Sequence, residues 1–320
     1  NFKKNLSQLK NSDEFGFYFY DISNNLLRSC NFKLNQCKSL ETNNQRLSNF
    51  IEINDKKYYL LGTSTTQIKN SEIPYDDILL ENKVYLRVLG NDGYKIDIKN
   101  KNLVISLNEN QKVLIHGQGV LKDWNILVNN DSKFLENQDR QDKDSLTGCL
   151  TLYDIHFDNT SIESNNNSCE DSINLLNVSG SINQLIVSNS KFDGVDIDFS
   201  SLTIDNVAIT NSGNDCLDIS YSDISITNVL TNNCQDKSLS LGEDSNVRVQ
   251  YLESNKSNIG IGVKDSTIVS IENFNGLNNN MCIAMYRKKQ EFGPSALAIK
   301  NNSCIGVVDN FIQRGQKFEE

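Results

Sequence analysis

The 320-residue chain carries 31 Lys and Arg against 41 Asp and Glu, giving a formal net charge of −10 and a pI near 4.9. That balance excludes the electrostatic footprint of a protein built to bind phosphate backbones, and no apolar run approaches the roughly 18 residues a membrane span needs. Two prolines, one tryptophan and no sustained helical periodicity, with heavy use of Asn, Ser, Ile, Leu and Val, predict short β-strands joined by Asn- and Ser-rich turns.

In chain order, residues 1–79 contain "EFGFYFYDI" and "KKYYLLGT", which predict a β-rich cap or small separate domain. The chain starts without Met and without a cationic-then-apolar leader, so a processed or excised piece is expected. Residues 80–320 predict a solenoid with a C-terminal cap. Its first part, "KNLVISLNENQKVLIHGQGVLKDWNILV", reads as early, irregular rungs up to about residue 145, and "LTGCLTLYDIHFDN" joins the later pattern with a one-residue slip.

From there the chain repeats at an interval of 22. Ile173, Val195, Leu217, Leu239, Ile261 and Ile283 form one apolar column, and Leu175, Ile197, Ile219, Leu241, Val263 and Met285 form a second. Two apolar residues separated by one position, once per repeat, mark a strand with period-two alternation that adds to the same sheet each time. A further apolar pair per repeat, such as Ile224 with Ile226, supplies another strand. The fold class is therefore all-β, a right-handed parallel β-helix of about 22 residues per rung. Asn167, Asn189, Asn211, Asn233 and Asn255 share the interval and predict a turn ladder of stacked amides.

With the apolar columns pointing in, the middle outward column is Asn174, Asp196, Asp218, Ser240, Gly262 and Ala284. Ser172, Gly194, Cys216, Ser238, Gly260 and Cys282 are expected to flank it on one side, and Leu176, Asp198, Ser220, Gly242, Lys264 and Tyr286 on the other. Asp196 and Asp218 fall on adjacent rungs, about 5 Å apart, where like charge pushes at least one pKa upward and suits a carboxyl to general-acid work. Asp193, Asp198 and Asp215 crowd the same patch. Their repulsion is expected to be relieved by protonation, by a cation such as Ca2+, or by Lys237 and Lys264. The bland reading, solvated acids on an acidic protein, competes for each Asp alone and fits the cluster less well.

Other features carry less. His116 and His156 read as structural histidines, and "YRKKQEFGP" as either a loop folding over the groove or a solvated face. Eight cysteines lack CxxC or Cys/His spacing, which disfavours zinc. Cys30 and Cys37 closing a short loop in an exported protein, and scattered reduced thiols, both remain open.

"LTGCLTLYD", "EDSIN", "DGVDIDFS", "NDCLDIS", "DKSLSLGEDS", "IGIGVKDS" and "AMYRKKQEFGP" resemble the pectin-lyase-like β-helix superfamily over roughly residues 110–310. More narrowly, they are similar to bacterial β-helix modules joined to spore-coat-kinase-like (CotH) domains in large surface proteins. A fainter similarity is to polygalacturonase-type glycoside hydrolases: Asp193 and Asp215 fall at that family's motif aspartates and Lys264 is kept. Lys237 replaces its histidine and Gly262 its arginine.

The expectation is a polysaccharide-binding, extracellular or cell-envelope protein that cleaves or epimerises its ligand as a lyase, hydrolase or epimerase. Asp196 and Asp218 would be the acid/base pair, Asp193 and Asp215 would orient them or hold a cation, and Lys264 and Arg287 would engage the sugar. Asp198, Lys237, Tyr286 and Lys288 are further binding candidates. The alternative is a non-catalytic glycan-binding or spacer module of a surface protein or phage fibre, and a structural calcium site is a third reading.

Overall fold

A computed structural model describes residues 77–89, 95–107, 111–130 and 146–320, together with five strands nearer the N-terminus, described as backbone alone. The chain divides into two units, Asn1–Ile73 and Pro74–Glu320. In the first, Gly16–Asp21 lies at the centre of a five-stranded antiparallel sheet, between Leu26–Asn31 and Lys56–Tyr59. Cys30 and Cys37 stand opposite each other across Leu26–Asn31 and Gln36–Leu40, and their side chains lie outside the described residues. Ile78–Glu81 pairs with Val84–Leu89, so that strand belongs to the second unit.

The second unit is a parallel β-solenoid of about nine turns with no helix among the described residues. Its strands form two sheets of 11 and 12 members, called here the first and second sheet. A typical turn is the pair Asp193–Asp198 and Ser201–Ser212, a short strand in the first sheet followed by a 12-residue strand in the second. The long strand is bent: its ladder runs through Leu202 and Ile204, skips Asp205, and resumes through Val207 and Ile209. Early rungs are irregular, with Val84–Leu89 and Lys112–Gly117 paired antiparallel; parallel pairing in the first sheet begins at Gly148–Tyr153. The one-residue slip sits there, with Leu150 opposite Ile173.

Both apolar columns of the first sheet are in register from strand to strand, and every member from Ile173 and Leu175 onward is fully buried. The second sheet faces them with Ile204, Ile226, Val229 and Leu252, among others, in one continuous core. Truncating one of these side chains to Ala costs about 2–5 kcal/mol, because a solenoid interior only two sheets deep cannot collapse into the gap.

The flank formed by Ser172, Gly194, Cys216, Ser238, Gly260 and Cys282 does not face outward as alternation predicts. The ladder steps from Asp171–Asp193 to Ile173–Val195 and skips the position between, an irregularity that turns two successive residues inward. A Cβ on Gly194 would meet Ile209 and Ser212, and one on Gly260 would meet Phe274, all across the interior. Ser172 and Ser190 share a hydroxyl hydrogen bond of 2.7 Å at this corner. Where the column carries cysteine it is stapled: Cys149–Cys169, Cys216–Cys234 and Cys282–Cys304 each join the start of a first-sheet strand to the end of the second-sheet strand in the same turn. These six residues are therefore not reduced thiols.

The amide ladder exists with a corrected membership. Asn189, Asn211 and Asn233 adopt left-handed backbone, and the Nδ2 groups of Asn211 and Asn233 donate to the preceding Oδ1 at 2.9 Å. Below them Asn166, not Asn167, accepts from Asn189; Asn167 is buried and donates to Ser164. Asn255 leaves the left-handed position to Lys256 and instead donates to Asn232.

Candidate functional site

The outer face of the first sheet carries three columns of polar side chains. One is Asp171, Asp193, Asp215 and Lys237, another Asn174, Asp196, Asp218 and Ser240, and the third Asp198, Ser220 and Gly242. Strand pairing thus brings five sequence-predicted aspartates together on two successive rungs and adds Asp171 on the rung before, 22 residues ahead of Asp193, where the same interval could have found it.

Neighbouring rungs hold the first column in place. Asp193 Oδ1 accepts the Asp215 N–H at 2.8 Å and the Asn214 side chain at 2.7 Å, and Asp215 Oδ1 accepts the Lys237 N–H at 2.9 Å. Asp171 is 2% exposed and Asp215 4% exposed, while Asp193, Asp196, Asp198 and Asp218 are half-buried and line the accessible part of the face.

Burial and mutual repulsion keep protons on this patch. Desolvation, then the charge of Asp215, raises Asp193 to about 7. Asp171 and Asp198 are raised to about 6, again by burial first and then by neighbouring carboxylates. Asp196 is pushed well above the usual carboxylate range by burial and by Asp171, Asp198 and Asp218. Asp218 is raised by burial, with Lys264 opposing; its Oδ1 is buried with no hydrogen-bond partner among the described residues, and Lys264 Nζ stands 4.0 Å away.

The two lysines relieve the charge by lying flat. Gly262 leaves the space that the Lys237 methylenes cross, and Gly242 does the same for Lys264, since a Cβ at either glycine would press on the lysine chain. Lys237 Nζ reaches Asp215 at 3.2 Å and also bonds Asp236, and those carboxylates hold its pKa above the usual lysine range against the opposing effect of burial. Lys264, 3% exposed, donates to Ser240 Oγ at 2.8 Å.

The remaining predicted residues lie apart from the carboxylates. Tyr286 pairs with Lys264 on the next rung, and Arg287 and Lys288 are exposed, their backbone N–H groups bonded to Gln313 and Asp265. It is Lys289 that turns back over the face's edge: its Nζ meets Glu243 Oε1 at 2.8 Å. Although burial opposes it, hydrogen bonds from Lys289 and Ser220 hold Glu243 below its ordinary value. The segment "RKKQEFG" therefore folds back along the rim rather than standing as a free solvated face, and it delivers Phe292 to Tyr221. Glu243, Lys289, Phe292, Phe199 and Tyr221 were not singled out by the sequence; Phe199 and Tyr221 are themselves 22 residues apart, so the interval held that signal too.

His116 lies 3.6 Å from Asp77, a residue also bound by Arg87, and stands three strands before Asp198 in the same column of the first sheet, whereas His156 bonds Ser179 Oγ at 3.0 Å on the second sheet. Among the described residues no three carboxylate, histidine or cysteine groups converge as a ready metal cage. No helix among the described residues is long and apolar enough to cross a membrane. In comparisons with known proteins, no family model, no curated protein and no solved structure matches the chain.

Proposed function

We propose that the chain is a carbohydrate-active β-helix protein of the pectin-lyase-like kind, which binds a polysaccharide along the outer face of the first sheet and cleaves or epimerises it. The observation that carries this reading is the in-register pair Asp196 and Asp218, both raised above the ordinary carboxylate range, with Lys264 beside the second. A carboxyl that keeps its proton near neutral pH can donate to a leaving oxygen, and a neighbour held beside an ammonium group can act as its base or nucleophile. In this scheme Asp193 and Asp215 position the pair, Asp198 borders the ligand, and Lys264 engages a sugar hydroxyl or carboxylate. For hydrolysis, a rung spacing of about 4.8 Å is nearer the retaining carboxyl separation of about 5–5.5 Å than the inverting one of about 6.5–9.5 Å.

Three disulfides, each closing one turn, support folding in an oxidising compartment, hence an extracellular or cell-envelope setting. One observation favours the second reading, a glycan-binding or spacer module: Lys237 and Asp215 are buried against each other, which leaves the first column without a free cation for chemistry.

Wild type and Asp218→Asn, screened against acidic and neutral polysaccharides with reducing ends and unsaturated uronates read together, separate these readings. Turnover that falls at least about a hundredfold in a variant with unchanged melting supports the enzyme, by the usual scale of acid–base contributions. Glycan binding without turnover in either protein replaces it with the binding module, and neither binding nor turnover leaves the spacer.

A further inference from the structure

The corner between the two sheets takes left-handed backbone on six successive rungs: Asp154 at φ 57°, Asn177 at 53°, Phe199 at 51°, Tyr221 at 51°, Asp244 at 59° and Ser266 at 64°. Asp and Asn tolerate this region because their short polar side chains bond locally, whereas a bulky residue there costs about 1–2 kcal/mol. Two consecutive rungs nevertheless place aromatic rings at the corner, and burial does not compensate them, for Phe199 is 56% and Tyr221 43% exposed. The rings stack, centroids 4.8 Å apart and 7° from parallel. Phe292 rests at 6.0 Å against Tyr221, carried there by the return segment that Asp265 anchors through the Lys288 and Lys289 N–H groups at 2.7 and 2.9 Å. The stack is thus braced on the Tyr221 side, and the Phe199 ring is open on the side of the Asn177 rung.

We propose that Phe199, backed by Tyr221, is a stacking subsite for one uncharged pyranose ring of the polysaccharide, at the rim of the carboxylate face. The inference rests on the glycan reading of that face and adds to it a specific contact and sugar class. A π-face attracts the slightly positive C–H groups on one side of a pyranose, while hydroxyls at the ring's edge need acceptors. Asp198 and Ser220, each immediately preceding a ring of the stack, belong to the polar floor. Two rings are far too small for a protein partner, which needs about 800 Å² per side. Charge selects the sugar: Asp198 immediately precedes Phe199 and Asp154 accepts from Asn177 on the rung beside it, whereas Lys237, Lys264 and Lys289 lie on later rungs. A uronate at the Phe199 end would meet carboxylates.

Affinity electrophoresis of the full chain through gels containing soluble neutral polysaccharides (β-glucan, xylan, galactomannan) or polygalacturonate tests this, with wild type, Phe199→Asn, Tyr221→Ala and Asp218→Asn. Phe199→Asn installs the residue the backbone prefers, so it is expected to melt no lower than wild type, and loss of binding cannot be blamed on unfolding. The expected result is retardation of wild type and Asp218→Asn by at least one neutral glycan and about tenfold weaker binding by Phe199→Asn, with Tyr221→Ala intermediate. Equal retardation of wild type and Phe199→Asn overturns the platform and leaves the carboxylate reading standing. Retardation by polygalacturonate alone also overturns it. Failure of wild type to bind any glycan overturns both, and a wild-type dimer in sedimentation that Phe199→Asn abolishes assigns the rings to self-association instead.

Discussion

The outer surfaces of the two sheets stack like on like at the same repeat interval, with opposite electrostatic outcomes. On the second sheet and its far corner, Asn228 donates to Asn206 at 3.1 Å, and Asn211 gives one hydrogen bond to Asn189 and takes one from Asn233, both at 2.9 Å. On the first sheet the stacked residues are aspartates, which when ionised have acceptors only. They are satisfied by N–H groups, by two flattened lysines, or by holding protons. One face is self-complementary and the other is frustrated; a frustrated face retained over three rungs is where chemistry is to be sought.

Changing the pH should separate the two faces most strongly. Asp171, Asp193 and Asp198 titrate at about 6, 7 and 6 in the folded protein, against about 3.9 in an unfolded chain. Between those values the folded state binds more protons than the unfolded, so stability is present at low pH and lost as pH rises through 6–7. Glu243, lowered, works in the opposite sense with a smaller share. Asp171 alone accounts for about 1.4 kcal/mol of the difference between pH 5 and pH 8, and with Asp193 and Asp198 acting in the same sense urea melts should show markedly lower stability at pH 8. A flat profile would mean that the carboxylates are relieved some other way.

Next in size is the corner that ties the faces together. Replacing Cys216 and Cys234 by Ser removes a staple spanning 18 positions and should lower stability by about 3 kcal/mol in the same melts. The pH profile should keep its shape, since neither sulfur faces the aspartates.

The smallest effects come from exchanging the two ladder chemistries. Asp196→Asn should stabilise the protein at pH 8 by about 1 kcal/mol by removing a repelled carboxylate, whereas Asn211→Asp should destabilise it by about 1 kcal/mol by breaking an amide chain. The same sign for both would remove the contrast between the faces.

Much of this was legible in the sequence because a solenoid repeats its environment. Ile173 through Ile283 show the interval, and the interval alone places Asp196 opposite Asp218. The Ser172–Cys282 column was misread because alternation presumes a regular pleat, and a skipped ladder position turns it inward. The disulfides escaped because their partners lie one turn minus a few residues apart, across a corner that only the bend of the long strand creates. Lys237 and Lys264 were expected to relieve the aspartates, but not to lie buried over Gly262 and Gly242. Phe199 and Tyr221 share the interval, but nothing in their type shows a left-handed backbone or an exposed ring.

By itself the sequence determined the rung length, the inward columns and the aspartate neighbours, because stacking identical strands needs only periodicity and burial. The tertiary structure alone decided which flank turns in, which cysteines meet, where the lysine chains lie and which end of the face carries aromatic rings. Those depend on the local break in the pleat and on the corner geometry, where residues distant in sequence compete for the same few ångströms.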